Sequence, residues 1–165
     1  MRSSEGQPER LPEQIAIGLV QDAEAYRLAA LRVQPRDAPI GEVDLIAPAW
    51  HLLCHSAELA LKAFLLSNGA DPGSKPGGLK HPALRHNLLG LYEAAVAQGF
   101  APPDAEFGEL MEWLAPYHSA HDFRYRKPGL VSLAAPFFIA EVLEPVIARV
   151  EGTVRERWRT RRGSR

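Results

Sequence analysis

The feature that most constrains the fold is a helical spacing of apolar residues that recurs along most of the chain. Apolar side chains return every three or four positions, whereas no alternating pattern long enough for a half-buried strand occurs. Proline and glycine divide this pattern into segments of helical length. The sequence therefore predicts an all-α protein, most economically an up-and-down four-helix bundle with one additional helix, five helices in total.

The predicted helices are bounded by residue types that start and stop helices. They span residues 13–34, 44–69, 87–99, 104–115 and 134–158. Asp44 is the expected N-cap of the second helix, and Pro145 is expected to bend the fifth. Pro116 disfavours a helical residue before it, so the fourth helix should end near Ala115 or slightly beyond. The first helix is expected to bury a stripe that consists of Ile15, Leu19, Ala23, Tyr26 and Ala30.

Length and charge indicate one domain with a basic end. A chain of 165 residues, 46% of them apolar, can bury a core of single-domain size. We expect a flexible segment at 1–12, one helical domain at 13–154 and a basic tail at 155–165. The tail holds six arginines and one glutamate, but the net charge of the whole chain is −1. This balance argues against disorder and against an overall basic nucleic-acid-binding protein.

The only cysteine, Cys54, excludes an internal disulfide and lies in an apolar run, so we expect a buried, inert thiol. Residues 1–14 lack the apolar core of a signal peptide. No uninterrupted apolar stretch approaches the roughly 18 residues that a membrane span needs. These features predict a soluble, cytoplasmic protein that does not bind a membrane.

The second predicted helix carries one polar stripe on an otherwise apolar surface. At about 100° per residue, His51, His55, Glu58 and Lys62 fall within a sector of about 60°. The breadth of the apolar surface indicates a central helix. The stripe is either a solvated face with a Glu58–Lys62 pair, or it faces a narrow channel, a partner or another polar surface.

A metal site is a further interpretation of this stripe. His51 and His55 are spaced to chelate one ion, and His118 or His121 could supply a third ligand. The HExxH pattern of zinc proteases is absent. We therefore expect neither a metal ion nor another cofactor.

A second polar segment, HDFRYRKPG at residues 121–129, combines cations with aromatic rings. Arginine contacts phosphate through paired hydrogen bonds and an aromatic ring stacks on a base, so Arg124, Tyr125 and Arg126 suit a nucleotide or single-stranded RNA. In the structural alternative, these arginines pair with carboxylates of the bundle while the aromatic rings fix the loop to the core. The basic tail is a weaker candidate for phosphate contacts.

Three segments together resemble the HEPN superfamily of small α-helical domains. They are AELALKAFLLSNG at 57–69, HNLLGLY at 86–92 and RYRKPG at 124–129, and the similarity extends over roughly residues 10–155. The resemblance implies an up-and-down four-helix bundle that forms a homodimer and binds RNA or a nucleotide. Such domains often occur beside a minimal nucleotidyltransferase partner.

Many HEPN relatives are metal-independent ribonucleases that use an Arg-x(4–6)-His motif near the last helix. No histidine of this chain follows an arginine at that spacing, so we assign no catalytic residue and expect ligand binding without the usual ribonuclease chemistry. Two alternatives stay open: a degenerate ribonuclease that uses His55, Glu58 and His86 for acid–base chemistry, or a protein-interaction module. The predicted ligand-binding residues are His55, Glu58, Lys62, His86, Arg124, Tyr125 and Arg126.

Overall fold

The described part of the computed structural model, residues 12–37, 45–120 and 134–163, contains five α-helices and no strand. The helices are α1 (Pro12–Val33), α2 (Ile46–Ser67), α3 (Leu88–Ala97), α4 (Glu106–Ser119) and α5 (Pro136–Gly163). The prediction of an all-α protein with five helices is therefore confirmed. The up-and-down order of the bundle and its likeness to HEPN domains stay predictions.

Helix α2 is the central element, because it contacts each of the other four helices. Large apolar side chains all round it are buried, among them Leu53, Leu61 and Leu65, as expected for a helix without a broad polar face. The helix ends where Gly69 adopts a left-handed conformation with φ of 90°, the usual signal for a helix C-terminus. At its start, Leu45 is the N-cap residue and makes no side-chain cap, while Asp44 lies outside the described residues.

Helix α1 packs against both α2 and α5. Ser56 of α2 donates a hydrogen bond of 2.7 Å to the carbonyl oxygen of Ala23. Three ion pairs link α1 and the residues after it to α5: Glu13 with Arg161, Arg27 with Glu144, and Arg36 with Glu141. Residue numbers rise along α1 as they fall along α5 in these pairs, so the two helices run in opposite directions.

The buried line of α1 differs from the predicted stripe. Ala23 and Ala30 are buried as expected, whereas Ile15, Leu19 and Tyr26 are only partly buried. The helix is rotated so that small residues face its two neighbours, which allows close packing. Within α1, the completely buried apolar residues are Ala16, Ala23 and Ala30, and Val20 is almost as deeply buried.

Helix α3 begins and ends where the sequence predicts. Asn87 is the N-cap, and its side-chain oxygen accepts a hydrogen bond of 3.0 Å from the amide of Gly90. Gly99 follows the helix with φ of 89°. Here a side-chain cap and a left-handed glycine determine the element locally.

Helix α4 extends one turn beyond its predicted end. Pro116 lies within the helix, which continues to Ser119. Proline removes its own amide donor from the helical ladder and its ring crowds the carbonyl of the preceding turn. The next turn still forms, as the hydrogen bond from the amide of Ala120 to the carbonyl of Pro116 shows. This extra turn carries His118 as a helical residue.

Helix α5 begins at Pro136 rather than near 134 and includes Pro145. It continues to Gly163, five residues past the predicted end at 158. Arg157 lies over the Phe64 ring at 5.7 Å, and Arg161 pairs with Glu13. These contacts hold the arginine-rich end of α5 against α1 and α2. None of the described helices combines the length and the hydrophobicity of a membrane span.

Candidate functional site

A buried carboxylate surrounded by four basic side chains is the most unusual feature of the core. We call it the Glu58 cluster: His55, Glu58, Lys62, His86 and His118. The Glu58 side chain is 1% exposed. One of its oxygens, Oε1, accepts a bond of 2.5 Å from Lys62 Nζ. The other, Oε2, lies 2.8 Å from His118 Nε2 and 3.2 Å from His86 Nδ1.

The cluster is assembled from three separate parts of the chain. Helix α2 supplies His55, Glu58 and Lys62, which its periodicity places on one face. The segment before α3 supplies His86, and the last turn of α4 supplies His118. Residues up to 60 positions away along the chain therefore converge on the Glu58 carboxylate.

His55 forms the fourth side of the cluster. Its Nδ1 atom lies 3.8 Å from Glu58 Oε2, which is close enough for electrostatic attraction but too long for a good hydrogen bond. The Tyr26 ring meets the His55 imidazole edge to face, with 4.6 Å between ring centres. Helix α1 therefore helps to orient this histidine.

The ionisation of Glu58 reflects two opposing effects. Burial alone would raise the pKa of the carboxyl, because an anion is poorly stabilised away from water. Interactions with His118, His55 and Lys62 outweigh burial, so the pKa of Glu58 lies below its ordinary value. The cluster therefore contains a carboxylate anion at neutral pH.

His86 has an unusual backbone conformation. Its φ of 60° makes it the only described non-glycine residue with positive φ, a conformation that costs an L-residue energy and is concentrated at functional positions. Its Nε2 atom accepts a hydrogen bond of 3.3 Å from Arg85 Nε. Because Arg85 can only donate, Nδ1 carries the ring proton in this arrangement and donates it to Glu58.

The side chains of the cluster differ in solvent exposure, from buried Glu58 to partly exposed His55 and His86. Glu58 and His118 are buried, and the Lys62 side chain is 15% exposed. The side chains of His55 and His86 are 31% and 36% exposed. A molecule that approaches the cluster therefore meets two imidazoles before it meets the carboxylate.

The structure brings four of the seven predicted ligand-binding residues together: His55, Glu58, Lys62 and His86. The other three, Arg124, Tyr125 and Arg126, lie outside the described residues, as does His121. The predicted Glu58–Lys62 pair is present. The interpretation of the stripe as a solvated face is wrong for Glu58, which is buried, whereas His51, His55 and Lys62 are partly exposed.

His118 is the cluster residue that the predicted set lacks. From the sequence it was considered only as a possible metal ligand, and the expected end of α4 near Ala115 or slightly beyond did not establish His118 as a helical residue. Its helical position and its contact with Glu58 depend on tertiary packing. No local pattern around His118 specifies that contact.

Cys54, one turn before Glu58, is buried as predicted. Burial raises the pKa of its thiol far above the ordinary value, and the negative charge of Glu58 adds to this effect. The thiol is therefore protonated and unreactive in the folded protein. Cys54 belongs to the core and has no part in the chemistry of the cluster.

Three donor atoms of the cluster are close enough to share a metal ion. The ligating atoms of Glu58, His86 and His118 all lie within 4.8 Å of one another. The same atoms can instead hold protons or contact an anion. The geometry therefore permits acid–base, anion-binding or metal chemistry.

Comparisons with family models, with curated proteins and with solved structures found no match to this chain.

Proposed function

We propose that this chain is a HEPN-like helical domain that binds the phosphate group of RNA or a nucleotide at the Glu58 cluster. The observation that carries the proposal is the buried Glu58 carboxylate with four basic side chains around it. The resemblance of the 57–69 and 86–92 segments to HEPN domains supports the choice of ligand, since these segments contain three of the cluster residues.

The charges of the cluster favour an anion. One carboxylate lies among a lysine and three histidines, and Arg85 is exposed next to His86. The charges of Glu58 and Lys62 cancel, so the guanidinium of Arg85 gives the cluster and its surroundings a net positive charge even when the imidazoles are neutral. Because Glu58 is buried, the outer surface presents the imidazoles and the Arg85 guanidinium rather than the carboxylate.

The accessible rim of the cluster consists of His55, His86 and Arg85. Both imidazoles lie within 3.8 Å of the same Glu58 oxygen, so they are neighbours at the surface. Charge-assisted hydrogen bonds from arginine and histidine to phosphate are shorter and stronger than neutral ones. In this arrangement Glu58 and Lys62 orient the rim, and the rim contacts the ligand.

The segment that contains Arg124, Tyr125 and Arg126 adds phosphate and base contacts in this proposal. Arg124 follows His118 by six positions, so a fully extended chain limits their Cα separation to about 20 Å. This distance is within the reach of a short oligonucleotide that is anchored at the rim.

A binding measurement tests the proposal. Fluorescence anisotropy with labelled, 5′-phosphorylated single-stranded RNA should show binding in EDTA, and ATP should compete for it. The affinity should fall as salt rises, because phosphate contacts release counterions. Arg85→Ala and the double variant Arg124→Ala/Arg126→Ala should each weaken binding by about tenfold, the loss of one or two charge-assisted contacts.

Arg32→Ala/Arg36→Ala is the matched control for the double variant. It also removes two arginines, and both are exposed on or near the end of α1. The control should bind RNA within about twofold of the wild-type protein, and the melting temperatures of all variants should be similar. Equal RNA affinity in the control and the two test variants would refute the proposed site.

A second candidate function is metal-independent RNA cleavage, and the geometry of His86 favours it. Its Nδ1–H bond to a buried carboxylate fixes the tautomer, so Nε2 is the nitrogen that takes a proton once Arg85, which donates to it in this structure, moves aside. Incubation of structured RNA with the protein in EDTA tests this directly. Cleavage that disappears in His86→Ala would support it, and intact RNA would exclude it.

The homodimer is part of the same proposal and derives from the resemblance alone. Sedimentation equilibrium of the full chain should give twice the mass of 18.2 kDa. A monomer at all concentrations would remove the dimer from the proposal without affecting the cluster.

A further inference from the structure

We propose that the Glu58 cluster also forms a site for a divalent transition-metal ion such as Zn²⁺, with Glu58, His86 and His118 as ligands. The inference is independent of phosphate binding. It departs from the sequence prediction, which expected no metal ion and considered His51 and His55 as the primary pair.

The donor atoms are spaced for one ion. Glu58 Oε2 lies 2.8 Å from His118 Nε2 and 3.2 Å from His86 Nδ1. Tetrahedral ligands about 2.1 Å from zinc are separated from each other by about 3.4 Å. When an ion replaces the hydrogen bonds at Oε2, the separation from His86 Nδ1 therefore grows by about 0.2 Å and that from His118 Nε2 by about 0.6 Å.

The donor types determine the class of metal. Two imidazoles and one carboxylate form a ligand set that suits zinc and its first-row neighbours, whereas magnesium and calcium require oxygen ligands. His55 Nδ1, 3.8 Å from Glu58 Oε2, is a nearby fourth donor. If His55 does not bind the metal ion, water or an anion occupies the fourth coordination position.

Lys62 is compatible with the metal because it occupies the other oxygen of Glu58. Its Nζ atom bonds Oε1, so Oε2 is the oxygen that faces the histidines. Lys62 therefore acts as an outer partner that orients a monodentate carboxylate ligand. With the metal ion bound, the site has a net positive charge, which attracts an anion to the fourth coordination position.

Replacement of Arg85 distinguishes the metal-binding proposal from the phosphate-binding proposal. Its hydrogen bond to His86 Nε2 keeps the ring proton on Nδ1. A metal ion needs the lone pairs of His86 Nδ1 and His118 Nε2, which both donate to Glu58, so each ring proton must move to the other ring nitrogen or leave to solvent. At His86 the proton moves to Nε2 and the exposed Arg85 side chain must turn away. Arg85→Ala removes this competition. The variant should bind metal more tightly but RNA more weakly, because it loses a phosphate contact.

Titration of the tag-free full chain with Co²⁺ or Zn²⁺ after EDTA treatment and desalting tests the site. Co²⁺ should bind one ion per chain and give the visible absorption bands of a tetrahedral complex. His86→Ala and His118→Ala should each weaken binding by at least about tenfold, and Arg85→Ala should strengthen it. His81→Ala, which removes a histidine outside the cluster, is the matched control and should bind like the wild-type protein.

Circular dichroism shows whether each variant folds. If His118→Ala does not fold, His86→Ala still tests the site, because His86 is partly exposed and its replacement disturbs the core less. Failure of the wild-type chain to bind one equivalent of Co²⁺ or Zn²⁺ would overturn the metal site. Equal binding by the His86→Ala and His81→Ala variants would also overturn it. Because RNA binding is measured in EDTA, either result leaves the phosphate proposal standing, and absence of RNA binding leaves the metal site standing.

Discussion

Arg27 and Glu58 are both buried charged side chains on helices of this bundle, but their partners differ. Arg27 of α1 bonds Glu24 on the same helix at 2.7 and 2.8 Å and reaches Glu144 of α5 at 3.4 Å. The carboxylate of Glu144 is largely exposed and that of Glu24 is partly exposed. Glu58 is bonded instead by Lys62 of α2, by His86 of the segment before α3 and by His118 of α4. His118, the closest of the histidines, is itself buried.

The difference lies in what the partners can do. Glutamate partners only accept hydrogen bonds near neutral pH, so the Arg27 group joins two helices and has no further chemistry. Its hydrogen bond with Glu24 raises the pKa of Arg27, against the effect of burial. Histidine partners donate, accept, carry charge and ligate metals. A buried charge alone therefore does not indicate a functional site, whereas the type of its partners does.

Removal of the carboxylate at Glu58 should have the largest effect. Glu58→Ala leaves Lys62 and the buried His118 without their shared acceptor, so the free energy of unfolding should fall by about 3–5 kcal/mol. Urea denaturation followed by circular dichroism measures this loss. Glu58→Gln keeps the shape and one acceptor oxygen and should cost less. A loss below about 1 kcal/mol for Glu58→Ala would mean that the cluster contributes no more to the free energy of unfolding than a surface ion pair does.

The pH dependence of stability should reveal the same carboxylate. The folded protein lowers the pKa of Glu58, so its ionised form stabilises the fold fully above the unfolded pKa of about 4.3 and progressively less as pH falls below it. In metal-free buffer, the stability difference between the wild-type protein and Glu58→Gln should shrink as the pH falls from 5 to about 3. A constant difference over this range would show that the charge of Glu58 does not stabilise the fold.

Replacement of Arg27 should have the smallest effect of the three. Arg27→Met keeps most of the apolar stem, and the remaining Glu24 and Glu144 are solvated, so we expect a loss of about 1–2 kcal/mol. RNA and metal affinities should not change. A stability loss as large as that of Glu58→Ala, or any change in ligand binding, would remove the distinction between the two groups.

Local sequence signals determine the helices better than the site. Asn87 and Gly99 define α3 because a side-chain cap and a left-handed glycine act within a few residues. The continuation of α4 past Pro116 was missed because the cost of one lost hydrogen bond is balanced by packing that local sequence does not describe. The rotation of α1, which buries Arg27, was missed for the same reason.

Three of the five cluster residues could be grouped from helical periodicity alone. The spacing of His55, Glu58 and Lys62 places them on one face of any helix, and the Glu58–Lys62 pair was predicted. His86 entered the predicted site through the HEPN resemblance. The contact of His118 with Glu58 spans 60 positions, and its prediction needs the relative placement of α2 and α4.

The most direct test of the central claim, that the Glu58 cluster binds phosphate, is NMR of the histidine rings. In ¹⁵N-histidine-labelled protein in EDTA, addition of single-stranded RNA should shift the ring signals of His55 and His86 and leave those of His81 in place. Unchanged His55 and His86 signals at saturating RNA would contradict the claim and leave the cluster without a role in RNA binding.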